Sequence, residues 1–259
     1  MAQTWHSLEG RTALVAGASR GIGLAIAREM ARAGAHTILA ARSLDKLEAE
    51  AARLREQGFL AEALRLDISD RDSIEAAVRA APPVDVLVVV SGINLRKPFL
   101  EYTRQEYEAL LRTNLDGPVE LVRAVGRGMI ERGRGGRIIL IGSMMTILGL
   151  PYLVPYALAK SALGGLTRVL AAEWAPYSIQ VNAILPGFIL TDLTRPIWER
   201  PEMLAWMRGV VPAGRLGTPE EIAPLAVFLA GPGAGYITGQ LIAVDGGYST
   251  CSVWPLKPA

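Results

Sequence analysis

Short apolar runs alternate with helix-periodic stretches along nearly the whole chain, and this rhythm narrows the folds open to it. Thr12–Ala16 reads as a strand and 21–33 as the helix after it. Further strand runs lie at 37–41, 60–66, 84–90, 137–141, 179–185 and Leu241–Val244. Helical patterns fill 44–57, 70–80, 104–131, 156–174 and 219–229. The punctuation agrees. Ser43 is placed to cap the helix that Gly58 stops, and Thr103 and Glu106 fit a capping box. Thr218, Pro219 and Glu221 combine a cap, a first-position proline and a capping acid. From Val86 onward the fourth strand run is apolar, as in a strand covered on both faces. Strict alternation implies parallel strands with right-handed crossovers. The expected fold is an α/β doubly wound, Rossmann-type sheet of about seven strands with helices on both faces.

With 259 residues, 51% of them apolar, the chain can build one large core, so a single domain over 1–259 is expected. The segment 188–215 breaks the rhythm and carries Pro196, Trp198, Pro201, Met203, Trp206 and Met207. It is a candidate substrate lid or, alternatively, a packed insertion. Residues 249–259 form a C-terminal tail. A net charge of +2 gives no reason to expect nucleic acid or an anionic membrane as partner. The run Arg132-Gly-Arg134-Gly-Gly-Arg137 imitates an RNA-binding segment, but the strand that follows at once marks it as a helix end and loop. The charge-free stretch 138–159 is interrupted by Gly142, Ser143, Pro151 and Pro155, so it reads as strand, loop and helix start rather than a membrane span. Residues 1–9 are polar and lack an apolar signal core, and the one cysteine, Cys251, allows no disulfide within the chain. A cytoplasmic location is the expectation. His6 and His36 have no ligand-spaced partners, so no metal is expected.

Ala16-Gly17-Ala18-Ser19-Arg20-Gly21-Ile22-Gly23 joins the first strand to the first helix. Glycines there permit a tight turn and bring backbone N–H groups to a pyrophosphate at the helix N-terminus. The spacing is G-x-x-x-G-x-G rather than the general G-x-G-x-x-G, and its place between strand and helix gives it meaning. An NAD site puts an acid on the ribose about 20 residues further on. That position is Ala41, followed by Arg42, and Arg20 stands in the loop itself. Two guanidiniums suit a 2′-phosphate, which favours NADP(H) over NAD(H); the other reading is two solvated loop charges.

Tyr156 and Lys160, four residues apart, share one helix face. Bringing a tyrosine from a pKa of about 10 to about 7 needs roughly 4 kcal/mol. A unit charge about 4 Å away, at an effective dielectric near 20, supplies about that much. The pair is therefore a candidate general acid/base. Ser143 ends the preceding strand, at the carboxyl edge where open α/β sheets bind ligands. Asn114 lies inside the 104–131 helix, and Pro186-Gly187 follows a strand end.

With these residues assembled, the chain resembles the short-chain dehydrogenase/reductase family over about residues 8–248. The signs are the Gly17/Gly21/Gly23 loop, Asp67, Asn114, Ser143, Tyr156, Lys160, and Pro186-Gly187 with Thr191. The resemblance implies that Tyr156 exchanges a proton with the substrate oxygen and that Ser143 hydrogen-bonds that oxygen. Lys160 would lower the pKa of Tyr156 and hold the nicotinamide ribose, and Asn114 would hold a water in a relay ending at Lys160. Asp67, next to Ile68, would accept the adenine amino group, and Thr191 with the Ile189 backbone would hold the carboxamide. Ser19, Ile22 and Gly92 complete the implied cofactor set. Two positions depart from the family. Val89-Val90-Ser91-Gly92 stands where Asn-Asn-Ala-Gly is usual, and Ala16 replaces a threonine that tethers the loop.

Met144 and Met145 follow Ser143 and either line a substrate pocket or pack the core. The stretches 92–98 and 173–177 look like the sugar-acid branch, the gluconate 5-dehydrogenases, with Arg96 and Lys97 as carboxylate-attracting or merely surface charges. A 3-oxoacyl-carrier-protein reductase is the alternative small-molecule activity. A cofactor-binding sensor or scaffold without turnover is an alternative of another class. The resemblance also implies a homotetramer, through helices 104–131 and 156–174 and the tail.

Overall fold

The computed structural model describes residues 4–90 and 92–253. One parallel sheet contains β1 (Thr12–Ala16), β2 (His36–Ala41), β3 (Ala61–Arg65), β4 (Val86–Val89), β5 (Gly136–Ile141), β6 (Ile179–Pro186) and β7 (Leu241–Val244). Their spatial order is β3-β2-β1-β4-β5-β6-β7. The helices are α1 (Gly21–Arg32), α2 (Leu44–Glu56), α3 (Arg71–Ala80), α4 (Arg104–Leu111), α5 (Gly117–Arg132), α6 (Val154–Trp174), α7 (Arg195–Trp198), α8 (Pro201–Val210) and α9 (Pro219–Ala230).

Side chains alternate across each strand, and the two apolar faces take different helices. Ala13, Val15, Val86 and Val88 pack with α1, α2 and α9. Leu14, Ala16, Leu87 and Val89 pack with α3, α5 and α6. Both faces are therefore buried, which is why the central strands read as continuous apolar runs. The chain winds outward from β1 to β3, then returns to place β4 beside β1. Loops leaving β1 and β4 diverge there, opening a crevice at the carboxyl ends of the strands.

Two local expectations need correction, and a third segment takes a definite form. The helix expected over 104–131 is two helices separated by a π-helical segment, Arg112–Asp116, with Asn114 buried inside it. Wider turns of this kind recur at functional sites because they re-aim side chains. Ser43 makes no side-chain bond to the start of α2. The segment 188–215 forms α7 and α8, whose Trp198, Met207 and Val211 build a small separate core against Phe188 and Tyr248.

The Arg132–Arg137 run is a helix end, a left-handed Gly133 and the start of β5, and Arg132 is bonded to the Val84 carbonyl. The charge-free stretch is β5, a short turn and the start of α6. Among the described residues no helix is long and apolar enough to cross a membrane, and no cluster of His, Cys, Asp or Glu could hold a metal ion. Ser91 and residues 1–3 and 254–259 lie outside the described residues.

Leu87 is fully buried at the centre of the sheet, whereas Leu60 is 67% exposed. Leu87→Ala should cost about 3 kcal/mol in urea unfolding, and Leu60→Ala within about 0.5 kcal/mol of nothing. Equal effects would contradict the assignment of the core.

Candidate active site

The crevice holds a cavity of about 450 Å³ between the loops after β1 and β4. Its floor is the turn entering α1. A Cβ on Gly23 would sit 2.2 Å from the Gly17 carbonyl oxygen, so only glycine lets α1 start this close to the turn. Arg20, the residue before α1, has no side-chain cap bond to the helix, which leaves the helix N-terminus facing the cavity. The missing threonine at position 16 costs the turn little, because Gly17 N and Ala18 N both donate to the Ala40 carbonyl, at 2.8 and 3.2 Å. Val90, likewise, is tied through its N–H to the Ala16 carbonyl.

At one end of this cavity Arg20, Arg42, Ser43 and Lys46 come together. None of the three cations forms an ion pair among the described residues. Sequence reasoning found the arginines but missed the other two. It assigned Ser43 to helix capping, and Lys46 looked like any helix-surface lysine. The usable signal was their position in the first turn of α2, directly after Arg42. Gly17, Ser19, Gly21, Ile22, Asp67, Ile68, Gly92 and Thr191 also line this cavity. Burial pushes the Asp67 carboxyl up. The Ser69 hydroxyl and N–H, bonded to Oδ1 at 2.7 and 3.0 Å, and the charges of Arg42 and Arg65 outweigh it, so the acid ends below its ordinary value.

A second cavity, about 230 Å³, opens from the first past Ile22, Gly92 and Thr191. Ser143, Met145, Tyr156 and Lys160 line it, together with Pro186, Gly187 and Ile189. Met144 and Met145, each 3% exposed, serve both alternatives at once: they face this cavity and pack on Leu153. Ser143 follows β5, and its hydroxyl accepts Met145 N at 3.2 Å, which fixes the turn Met144–Thr146. Thr146 Oγ1 donates to the Lys160 carbonyl and Ser161 Oγ to the Met145 carbonyl, both at 3.1 Å, so this turn is locked to α6.

Lys160 is the anchor of the arrangement. Its side chain is buried, and Nζ donates to the Ile141 carbonyl at the end of β5, at 2.8 Å. Nζ stands 5.8 Å from the Tyr156 ring centroid. Burial lowers the Lys160 pKa from 10.5 to about 8. Tyr156, half-buried, is shifted the other way from the sequence expectation. Burial raises its pKa, while the Ser143 hydroxyl and then the charge of Arg96 oppose the rise. Within the protein alone, burial outweighs the groups that favour the phenolate.

Of the residues expected to act in catalysis or to hold the cofactor, Asn114 alone lines neither cavity. Its Oδ1 accepts Ile93 N at 3.0 Å and its Nδ2 donates to the Ile93 carbonyl at 2.9 Å, clamping the loop after β4. Gly92 lets this clamp meet the lysine: a Cβ there would lie 3.0 Å from Asn114 Oδ1 and 3.7 Å from Lys160 Nζ. Thr191 sits in a turn closed by Thr194, whose hydroxyl donates to the Ile189 carbonyl at 2.6 Å. Of the basic pair after β4, Arg96 lines the second cavity, but Lys97 is committed to Glu106, with both carboxylate oxygens at 2.9 Å. Asn94, from the stretch 92–98, and Phe188, Ile197 and Trp198, from the candidate lid segment 188–215, also line this cavity.

The sequence model of the family described as "Enoyl-(Acyl carrier protein) reductase" matches residues 17–249. A gluconate 5-dehydrogenase from Gluconobacter oxydans is 36% identical over 245 residues, 93% of this chain and 95% of that protein. A 3-oxoacyl-[acyl-carrier-protein] reductase from Pseudomonas aeruginosa is 42% identical over 248 residues, covering 93% and 98%. The crystal structure of a gluconate 5-dehydrogenase from Burkholderia cenocepacia, in complex with NADP and tartrate, superposes with a TM-score of 0.92 at 37% identity, covering 95% of this chain and 98% of that one.

The lowered Lys160 pKa has a signed consequence. Folding disfavours the ammonium fully below about pH 8, and the penalty fades as pH rises toward 10.5, where an unfolded lysine also loses its proton. A shift of this size is worth about 3 kcal/mol. The Tm of Lys160→Met minus that of the wild type, measured by calorimetry between pH 7 and 10, should therefore fall as pH rises. A difference independent of pH would contradict a strained ammonium at this position.

Proposed function

The chain belongs to the short-chain dehydrogenase/reductase family of oxidoreductases, and from that premise we propose that it is an NADP(H)-dependent enzyme interconverting a secondary alcohol and a ketone on a polyhydroxylated acid, such as gluconate and 5-ketogluconate. The observation that carries the substrate reading is Arg96. It lines the cavity of Ser143 and Tyr156 without an ion-pair partner among the described residues, ready for a substrate carboxylate. Lys97, held by Glu106, is withdrawn from that role. The tartrate and NADP named with the Burkholderia enzyme, both anionic, support the same chemistry.

The residues present fit NADP(H). The glycine turn and the N-terminus of α1 suit the pyrophosphate, and Arg20, Arg42, Ser43 and Lys46 suit a 2′-phosphate. Asp67, beside Ile68, offers its second carboxylate oxygen to the adenine end, and Lys160, Ile189 and Thr191 serve the nicotinamide end. When bound, the cofactor gives or takes the hydride at the substrate carbon. Tyr156 donates the proton to the substrate oxygen in reduction and accepts it in oxidation. Ser143 hydrogen-bonds that oxygen and stabilises its developing charge. Lys160 supplies positive charge beside the phenol, and Asn114 positions the loop after β4 and extends the proton path from Lys160. Helices α7 and α8 form the lid. Exposed Leu158 and Val169 on α6 favour a homotetramer through that face.

NADPH oxidation should be fastest with 5-ketogluconate and slow with an acetoacetyl thioester, and NADH should serve poorly. Arg42→Ala should raise the KM for NADPH at least about tenfold and that for NADH less than about twofold. Preference for the thioester would replace the sugar-acid reading with the acyl-reductase one. Equal losses for both cofactors would remove the 2′-phosphate role.

A further inference from the structure

Two buried polar atoms on residues lining the second cavity have no hydrogen-bond partner among the described residues: Trp198 Nε1 and Asn94 Oδ1. Trp198 is 6% exposed. A native structure satisfies nearly all buried polar groups, so each such atom calls for a partner. Packing alone does not require the indole nitrogen. Phe188 meets the Trp198 ring edge to face at 5.2 Å, and the ring packs in a small core with Met207 and Val211. The atoms come from different elements, a donor at the end of α7 and an acceptor in the loop after β4. That loop is held on both sides of Asn94. Asn114 clamps the Ile93 backbone, and the Tyr102 hydroxyl donates to the Leu95 carbonyl at 2.5 Å. Asn94 is thus held on a fixed frame, and the rest of the wall is largely apolar, with Met144, Met145, Leu150 and Leu153.

We infer that Trp198 and Asn94 are specificity-determining residues that read hydroxyl groups on the carbon chain beyond the reacting carbonyl, the indole N–H donating to one hydroxyl and the carboxamide oxygen accepting from another. The inference rests on the sugar-acid reading above and deepens it. Arg96 takes the carboxylate, Ser143 and Tyr156 take the reacting oxygen, and these two residues demand a polyhydroxylated chain between the two ends. A 3-oxoacyl chain of the same length leaves both atoms unpartnered, and a site built to bond a hydroxyl rejects an analogue without it far more strongly than an apolar pocket rejects a methylene change.

The test compares 5-ketogluconate with 5-oxohexanoate, which keeps the carboxylate, the chain length and the ketone position and lacks every hydroxyl. The wild type should prefer 5-ketogluconate. Trp198→Phe and Asn94→Leu, each with NADPH, should lower kcat/KM for 5-ketogluconate by roughly tenfold to a hundredfold. The same variants should leave 5-oxohexanoate, read by kcat/KM or by its inhibition constant as a competitor, within about twofold. Equal losses on both substrates, or no loss on 5-ketogluconate, would overturn the inference while the wild-type preference stood. A wild type that favours 5-oxohexanoate would overturn the sugar-acid reading and this inference together.

Discussion

Lys160 reaches through the protein interior to the carbonyl that ends β5, and the positions of the other site groups follow from that grip. Its own carbonyl accepts the Thr146 hydroxyl, so α6 and the turn after β5 are fastened to each other from both directions. Ser143 opens that turn and Tyr156 lies one helical turn before the lysine; neither can shift without breaking the lock. The cost is an ammonium in an apolar setting, seen in its pKa of about 8. Such a group is tolerated where it does chemistry, because a well-packed apolar residue would hold the fold at least as well.

The same lysine meets the second half of the site across Gly92. The absence of a side chain there brings the Asn114 clamp and the lysine to one point, joining the loop after β4 to α6. The sheet order does the rest. Because β1 and β4 are neighbours while their connections run to opposite faces, the glycine turn and the Gly92 loop face one another across a single crevice. Cations at its far end and the proton-handling groups at its near end are thereby set along one channel, formed by two cavities that share Ile22, Gly92 and Thr191.

The periodic features were legible in the sequence. Alternation of apolar and helix-periodic runs located the strands, two-sided burial leaves an unbroken apolar signature in the central β4, and the Thr103–Glu106 capping box formed as its spacing implies. Features that depend on through-space partners were not legible. Asn114 sits in a sequence with ordinary helical periodicity, and only the pull of the Ile93 backbone reveals the wider π turn. Arg96 and Lys97 are adjacent and chemically alike, yet Glu106, nine residues further on, takes one and leaves the other on the cavity. Ser43 satisfied every rule for a cap and does not act as one. The Coulomb argument for Tyr156 supplied the charge, but the desolvation that accompanies its burial depends on through-space packing and was not legible.

The central claim is that Tyr156 carries the proton while the surrounding lock only positions it. Tyr156→Phe removes one hydroxyl and keeps the ring that packs beside Met144, Met145 and Leu153. Steady-state kinetics with NADPH and 5-ketogluconate, paired with a fluorescence titration of NADPH binding, tests this most directly. The account predicts NADPH affinity within about twofold of the wild type and a kcat lower by about a hundredfold or more. A variant that binds NADPH normally and retains kcat within a few-fold would contradict it, and would assign the proton transfer to another group.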